Sequence, residues 1–133
     1  DNFLLRYDLE DLVRWNAKPC PCGETHRRLF YEGRVRDVVR VGERELLPID
    51  VAFVLYEFPE VSRPSAEYQI VRRPGVPRVR VEYDPAGGVD ADGLASRLRD
   101  RFRGRLGVAV DLELVPRGAV PRFAYKAARV VDA

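Results

Sequence analysis

Arg78-Val79-Arg80-Val81-Glu82-Tyr83 alternates charge with apolar bulk without a break. That is the pattern of a strand with one solvated and one packed face. Val108-Ala109-Val110-Asp111-Leu112-Glu113-Leu114-Val115 repeats it. Between the two, Leu94, Leu98, Phe102 and Leu106 recur at four-residue steps, which predicts a helix over 93–106 with one apolar stripe. Asp90 or Asp92 can cap its start by accepting from free N–H groups, and Gly107 can stop it.

Upstream, Tyr68-Gln69-Ile70-Val71-Arg72 reads as a strand joined to 78–83 by the turn Pro74-Gly75-Val76-Pro77. Pro48 suits the first position of a helix that runs to Phe58, with Val51, Val54, Leu55 and Phe58 on its apolar face and Pro59 closing it. Residues 29–33, 38–41 and 43–47 are hairpin-like, with Gly33 and Gly42 at element ends. Residues 1–19 read as a strand or turn running into a loop with no partner of its own, where Trp15 anchors against an apolar surface. The fold class is α+β: a small antiparallel-rich sheet with two helices packed on one face, preceded by a β-hairpin.

The chain has 133 residues, 46% of them hydrophobic, which suits one domain of common size. Its 23 basic and 21 acidic side chains leave a net charge of only +2, so no nucleic-acid or anionic-membrane partner is implied. Arg97, Arg99, Arg101, Arg103 and Arg105 alternate through the predicted helix. Successive members diverge by about 200°, so they flank the apolar stripe and read as a solvated face. No apolar run approaches the roughly 20 residues of a membrane span, and no signal-peptide pattern is present. A soluble, cytoplasmic protein is expected. With Asp1 in place of methionine and Asn2-Phe3-Leu4-Leu5-Arg6-Tyr7 already resembling ordered chain, a fragment of a longer protein is expected.

Only two of the basic residues are lysines, Lys18 and Lys126. A lysine offers a compact, mobile charge with three donors, suited to an oxygen that shifts during a reaction. Lys126, in Pro121-Arg122-Phe123-Ala124-Tyr125-Lys126-Ala127-Ala128-Arg129-Val130, is therefore the candidate chemical residue, against the alternative of a solvated tail lysine. Cys20 and Cys22, in Cys20-Pro21-Cys22-Gly23, read as reduced thiols or metal thiolates and as poorly placed for a mutual disulfide. With His26 they could give zinc three ligands, as a site of their own or as half of one completed by other chain; an ordinary turn is the alternative. No Walker or Rossmann phosphate loop is present.

Tyr7-Asp8-Leu9-Glu10-Asp11-Leu12, Cys20-Pro21-Cys22-Gly23, Gly33-Arg34-Val35-Arg36-Asp37, Pro48 before its helix, Leu112 to Pro116 and the stretch around Lys126 occur in an order that resembles the phenylacetate–CoA ligase family of adenylate-forming enzymes. The resemblance covers the family's C-terminal part: residues 1–32 as the end of the large adenylation domain and connector, 33–133 as the mobile lid. It implies activation of a carboxylic acid, aryl or arylacetic, by ATP with Mg2+, followed by transfer of the acyl group to coenzyme A. It also implies that Asp11 bonds the ribose, that Arg34 lies beside the nucleotide, that Arg36 is the hinge, that Gly42 and Glu43 form the acceptor loop, and that Lys126 serves adenylation. The partners implied are the N-terminal adenylation domain and the small acid, with a dimer as a further expectation, and the fragment alone should be inactive.

Several positions depart from the family pattern. Leu9-Glu10 stands for the usual Thr-Gly, Arg36 for Asp, Glu43 for the loop glycine and Tyr125 for the glycine before the lysine. These departures leave two alternatives open, a non-catalytic interaction domain and an adenylating enzyme with another acceptor.

Overall fold

The computed structural model describes residues 8–122 and 128–133. In chain order it contains β1 (Asp11–Asn16), β2 (Arg28–Arg34), β3 (Val39–Val41), β4 (Arg44–Leu46), α1 (Pro48–Leu55), α2 (Pro59–Ser62), β5 (Tyr68–Arg72), β6 (Arg78–Tyr83), α3 (Ala91–Leu106), β7 (Asp111–Pro116) and β8 (Val130–Asp132).

The alternating stretches form the centre of a four-stranded sheet ordered β7-β6-β5-β8. β5 and β6 are antiparallel across the Pro/Gly turn, while β7 joins β6 and β8 joins β5 in parallel. Two separate antiparallel hairpins, β1–β2 and β3–β4, precede it. The architecture is α+β.

Val79 and Val81 point into the core, whereas Arg78 and Arg80 stand on the outer face opposite Asp111 and Glu113 of β7. Arg78 reaches Asp111 at 2.9 Å and Glu113 at 3.3 Å, and Arg73 reaches Asp111 at 2.7 Å. The charges that alternate in the sequence are thus cross-strand partners of opposite sign, a stabilising arrangement.

Asp90 caps α3, its side chain accepting from the Gly93 N–H at 3.1 Å. Gly107 ends the helix at φ +66°, a left-handed position that a side chain enters only with strain. Leu94, Leu98 and Phe102 are fully buried against Val51, Val54, Leu55 and Val61 of the first two helices and Ile70, Val79, Val81 and Leu112 of the sheet. Pro48 opens α1, and the Leu47 N–H donates to Asp50 at 3.0 Å.

Four expectations change. The segment before residue 19 has a partner: β1 pairs with β2, so the 29–33 strand belongs to that hairpin and β3–β4 forms a second one around Gly42. α1 stops at Leu55, and Pro59 opens the short α2 instead of closing a longer helix, because proline at a first helical position loses no hydrogen bond. The last predicted strand is paired only over Asp111–Pro116, Val108 and Val110 being buried outside the ladder. The sheet also gains β8, which follows the Lys126 segment.

The arginines of α3 are more than a solvated face. Arg97 reaches Glu60 at 2.7 Å, Arg101 reaches Glu57 at 2.6 Å, and Arg105 also pairs with Glu57, tying α3 to α2 and to the turn after α1. No helix among the described residues is long and apolar enough to cross a membrane.

Candidate active-site face

The open end of the β1–β2 hairpin sets Asp11 directly across from Arg34. The Arg34 Nε lies 3.7 Å from the Asp11 carboxylate, and each side chain is about one-third exposed, so the pair is ordered yet accessible. β2 then runs into a single 3₁₀ turn, Val35–Asp37, which contains Arg36 and leads to β3. The Val35 N–H donates to the Glu10 carbonyl at 2.9 Å, joining this turn to the start of β1. Glu10 stands at φ +56°, a backbone region that glycine enters freely and other residues only with strain. Its N–H donates to Asp8 at 2.8 Å and the residue is exposed.

Arg34 and Arg36 line a cleft of about 480 Å³ together with Tyr31, Asp37, Arg72, Ala128 and Val130. One concavity therefore gathers the nucleotide-binding candidate Arg34, the hinge candidate and the C-terminal flank of the segment that carries Lys126. Lys126 itself lies outside the described residues. Arg72, at the end of β5, was not legible as a site residue. It donates to the carbonyls of Arg36 and of Val38 (3.5 Å to the latter) and pairs with Asp132 at 3.2 Å. A strand-end arginine thus binds the Val35–Asp37 turn to β8, and only the register of β5 with β8 brings those groups together.

Glu82 and Glu67 were also missed. By alternation Glu82 shares the outer face of β6 with Arg78 and Arg80, yet it is only 1% exposed. It accepts from the Val120 N–H at 2.8 Å and from both ends of the Arg122 guanidinium at 2.9 and 2.7 Å. Burial raises its pKa, but the Arg122 hydrogen bond, the Gly118 and Val120 N–H groups and the Arg122 charge outweigh this and hold it at about 2. Glu67 accepts from Arg129 at 2.8 Å. Tyr68 lies beneath that arginine, 4.6 Å from ring centroid to guanidinium, and donates its hydroxyl to the Pro48 carbonyl at 2.6 Å. Burial pushes the Tyr68 phenol up to about 12, so it remains a donor.

Gly42 and Glu43 lie apart from this cleft. Gly42 turns between β3 and β4 at φ +62°, and Glu43 lines a separate hollow with Arg44, Asp50 and Arg105. Cys20, Cys22 and His26 occupy the closed end of the first hairpin, away from the Asp11–Arg34 end, where Cys20 and His26 line a cavity of about 330 Å³. The thiols converge, with their Sγ atoms 2.7 Å apart, because Cys20–Gly23 is a turn and not a strand with alternating side chains. The Cys22 hydrogen bonds and the nearby Arg28 lower the Cys20 thiol pKa against a modest burial effect. Among the described residues no group of three or more His, Cys, Asp or Glu side chains could hold a metal ion, so Cys20, Cys22 and His26 do not form a three-ligand zinc centre. Trp15 is exposed, with Arg27 4.9 Å above its ring, and is not a buried anchor.

The chain belongs to the AMP-binding enzyme C-terminal domain family, whose model matches residues 44–133. It is similar to 2-hydroxyisobutyryl-CoA ligase in the postadenylation state in complex with R3-HIB-AMP, with 26% identity and a TM-score of 0.78 over 93% of this chain and 28% of that one. An open conformation of that ligase in complex with 2-HIB-AMP and CoA is matched at 27% identity and a TM-score of 0.65, again over 93% and 28%. A domain of phenylacetate-coenzyme A ligase from Bacteroides vulgatus ATCC 8482 shares the fold, at 22% identity and a TM-score of 0.57 over 72% of this chain and 92% of that one. The chain therefore spans little more than a quarter of the length of the full ligase. No curated protein matches its sequence.

Proposed function

We propose that this chain closes the active site of an adenylate-forming acid–CoA ligase, with residues 1–32 finishing the adenylation domain and 33–133 forming its moving lid. The carboxylate of a small acid, aryl or arylacetic, attacks the α-phosphorus of ATP and pyrophosphate leaves. The thiol of coenzyme A then attacks the acyl carbon and AMP leaves. The observation that carries this reading is the cleft that gathers Arg34, paired to Asp11, with the hinge turn and with Ala128 beside the Lys126 segment, in a chain of this family.

In this reading Asp11 accepts from the ribose hydroxyls, while Arg34 both orients Asp11 and faces the nucleotide. Lys126 stabilises the negative charge that shifts between carboxylate and α-phosphate oxygens. Mg2+ is carried on the ATP phosphates. Agreement with the postadenylation form supports the first half of the reaction as the state represented. The same ligase fits less well in its open form over the same share of chain, so the difference lies in how its parts are arranged. Glu43 beside Gly42, in place of the family's loop glycine, favours a second reading for the later half, in which the acyl acceptor is a nucleophile other than coenzyme A.

The test is acid-dependent ATP–pyrophosphate exchange by a protein in which this chain follows its adenylation domain. Lys126→Ala should reduce exchange by roughly 100-fold or more, the scale of losing one preorganised donor to developing charge. Exchange at the wild-type rate would remove Lys126 from the mechanism.

A further inference from the structure

The chain's two cysteines meet in the loop that closes the first hairpin, away from the cleft lined by Arg34 and Arg36. The Gly23 N–H donates to the Cys20 carbonyl at 3.0 Å, so residues 20–23 make a tight turn with Pro21 and Cys22 at its centre, and Gly23 stands at φ +86°. Proline at the first central position presets the backbone for such a turn. The two Sγ atoms come to lie 2.7 Å apart, with Cys22 exposed and Cys20 half-buried. Neither thiol is packed into the hydrophobic core, where a cysteine kept for its bulk would sit.

We infer that Cys20 and Cys22 form a thiol–disulfide exchange site whose substrates are small disulfides that carry carboxylates.

The turn supplies the geometry, because two sulfurs already in contact can bond without movement of distant chain. The surroundings supply the charge. Lys18 and Arg27 line the same cavity as Cys20 and His26, with Glu24 as the acid among them. Arg28 adds a third cation; its Nη2 donates to the Lys18 carbonyl at 3.5 Å, and its Nε is buried with no partner among the described residues. Three cations against one carboxylate favour a thiolate and draw in an anionic reagent. The Cys22 hydrogen bonds, with the Arg28 charge, make Cys20 the more acidic thiol and hence the attacking one, leaving the exposed Cys22 to resolve the intermediate.

In the reaction the Cys20 thiolate attacks one sulfur of the small disulfide, forming a mixed disulfide and releasing one small thiolate. Cys22, deprotonated in turn, attacks the Cys20 sulfur, closes the Cys20–Cys22 bond and releases the second. The protons given up by the two cysteines end on the two released thiolates, so the chain loses two electrons and the small disulfide gains them. Neither Lys126 nor the adenylation reading takes part.

There is no other cysteine, so intact mass and thiol titration read this site alone. The reduced full chain in excess oxidised glutathione should lose both titratable thiols and about 2 Da, the mass of two hydrogens. Cys22→Ser should stop at one glutathione adduct on Cys20, and Cys20→Ser should acquire its adduct on Cys22 several-fold more slowly. Oxidised glutathione should outpace the cationic disulfide cystamine by about tenfold at low salt, when each rate is taken relative to that of the urea-unfolded chain. That preference should shrink at about 1 M salt and in Arg28→Gln. A chain that ends as a double glutathione adduct, or that closes its disulfide no faster folded than in urea, overturns the exchange site. Equal relative rates for the two reagents overturn the choice of carboxylate-bearing substrates. The wild-type measurements need no substitution, so they decide the matter even where a variant fails to fold.

Discussion

Removing the charge of Glu82 should make the stability of this protein less dependent on pH in the acid range. The carboxyl is held at about 2 in the folded chain against an ordinary value of 4.5. A depression of that size corresponds to roughly 3 kcal/mol of preferential stabilisation of the ionised form. Because the folded value lies below the unfolded one, the unfolded chain binds the proton more readily as the solution is acidified. The contribution is therefore complete above about pH 4.5 and is lost as the pH falls toward 2. Urea unfolding of the wild type and of Glu82→Gln, followed by far-UV circular dichroism at steps from pH 7 to pH 2, measures the difference directly. Asp111 and Glu60, whose carboxyls are lowered by the hydrogen bonds of Arg78 and Arg97, titrate in both proteins and cancel. The gap at pH 7 should be roughly 3 kcal/mol and should close to below about 1 kcal/mol at pH 2. A gap that does not change with pH would refute the assignment of Glu82 as a buried, ionised carboxylate.

Other perturbations have sizes set by their surroundings. Phe102→Ala, at a fully buried position between α1 and the sheet, should lose about 3–5 kcal/mol in the same unfolding assay. Glu57→Gln releases both Arg101 and Arg105, but these pairs are partly exposed, so the loss should stay below about 1 kcal/mol and vanish in concentrated salt. Gly107→Ala forces a side chain into the left-handed region and against the Arg44 guanidinium at 3.2 Å, and should lower stability by about 1–2 kcal/mol.

Much of the fold was legible because it rests on local rules. The period-two stretch at 78–83, the later part of the one at 108–115, the four-residue spacing of Leu94, Leu98 and Phe102, and the Asp90 and Gly107 signals became the elements they suggested. Residues 11–16 have a partner that no local signal announces: nothing nearby in sequence shows that this strand closes on 28–34 across an eleven-residue connection. β8 was missed because three residues carry too little pattern; its ladder to β5 is a parallel pairing between positions far apart in the chain. Within the candidate site, Asp11, Arg34 and Arg36 could be singled out by motif, and the structure places Arg34 and Arg36 on one cleft. The Cys20 and Cys22 thiols converge, but among the described residues His26 does not join them in a group of three that could hold a metal.

The sequence by itself determined the alternation of strand and helix, the apolar stripe of α3 and the motifs that place the chain in its family, because each depends on neighbours within a few residues. Tertiary structure alone decided which charges matter. Glu82 and Arg80 are two residues apart in one strand and follow the same alternation, yet Arg80 stands on an open face and Glu82 is sealed under the turn that returns from β7. A charge in water and a charge in a donor-lined interior differ in energy by far more than any local propensity, and only the path of distant chain determines which of the two a residue becomes.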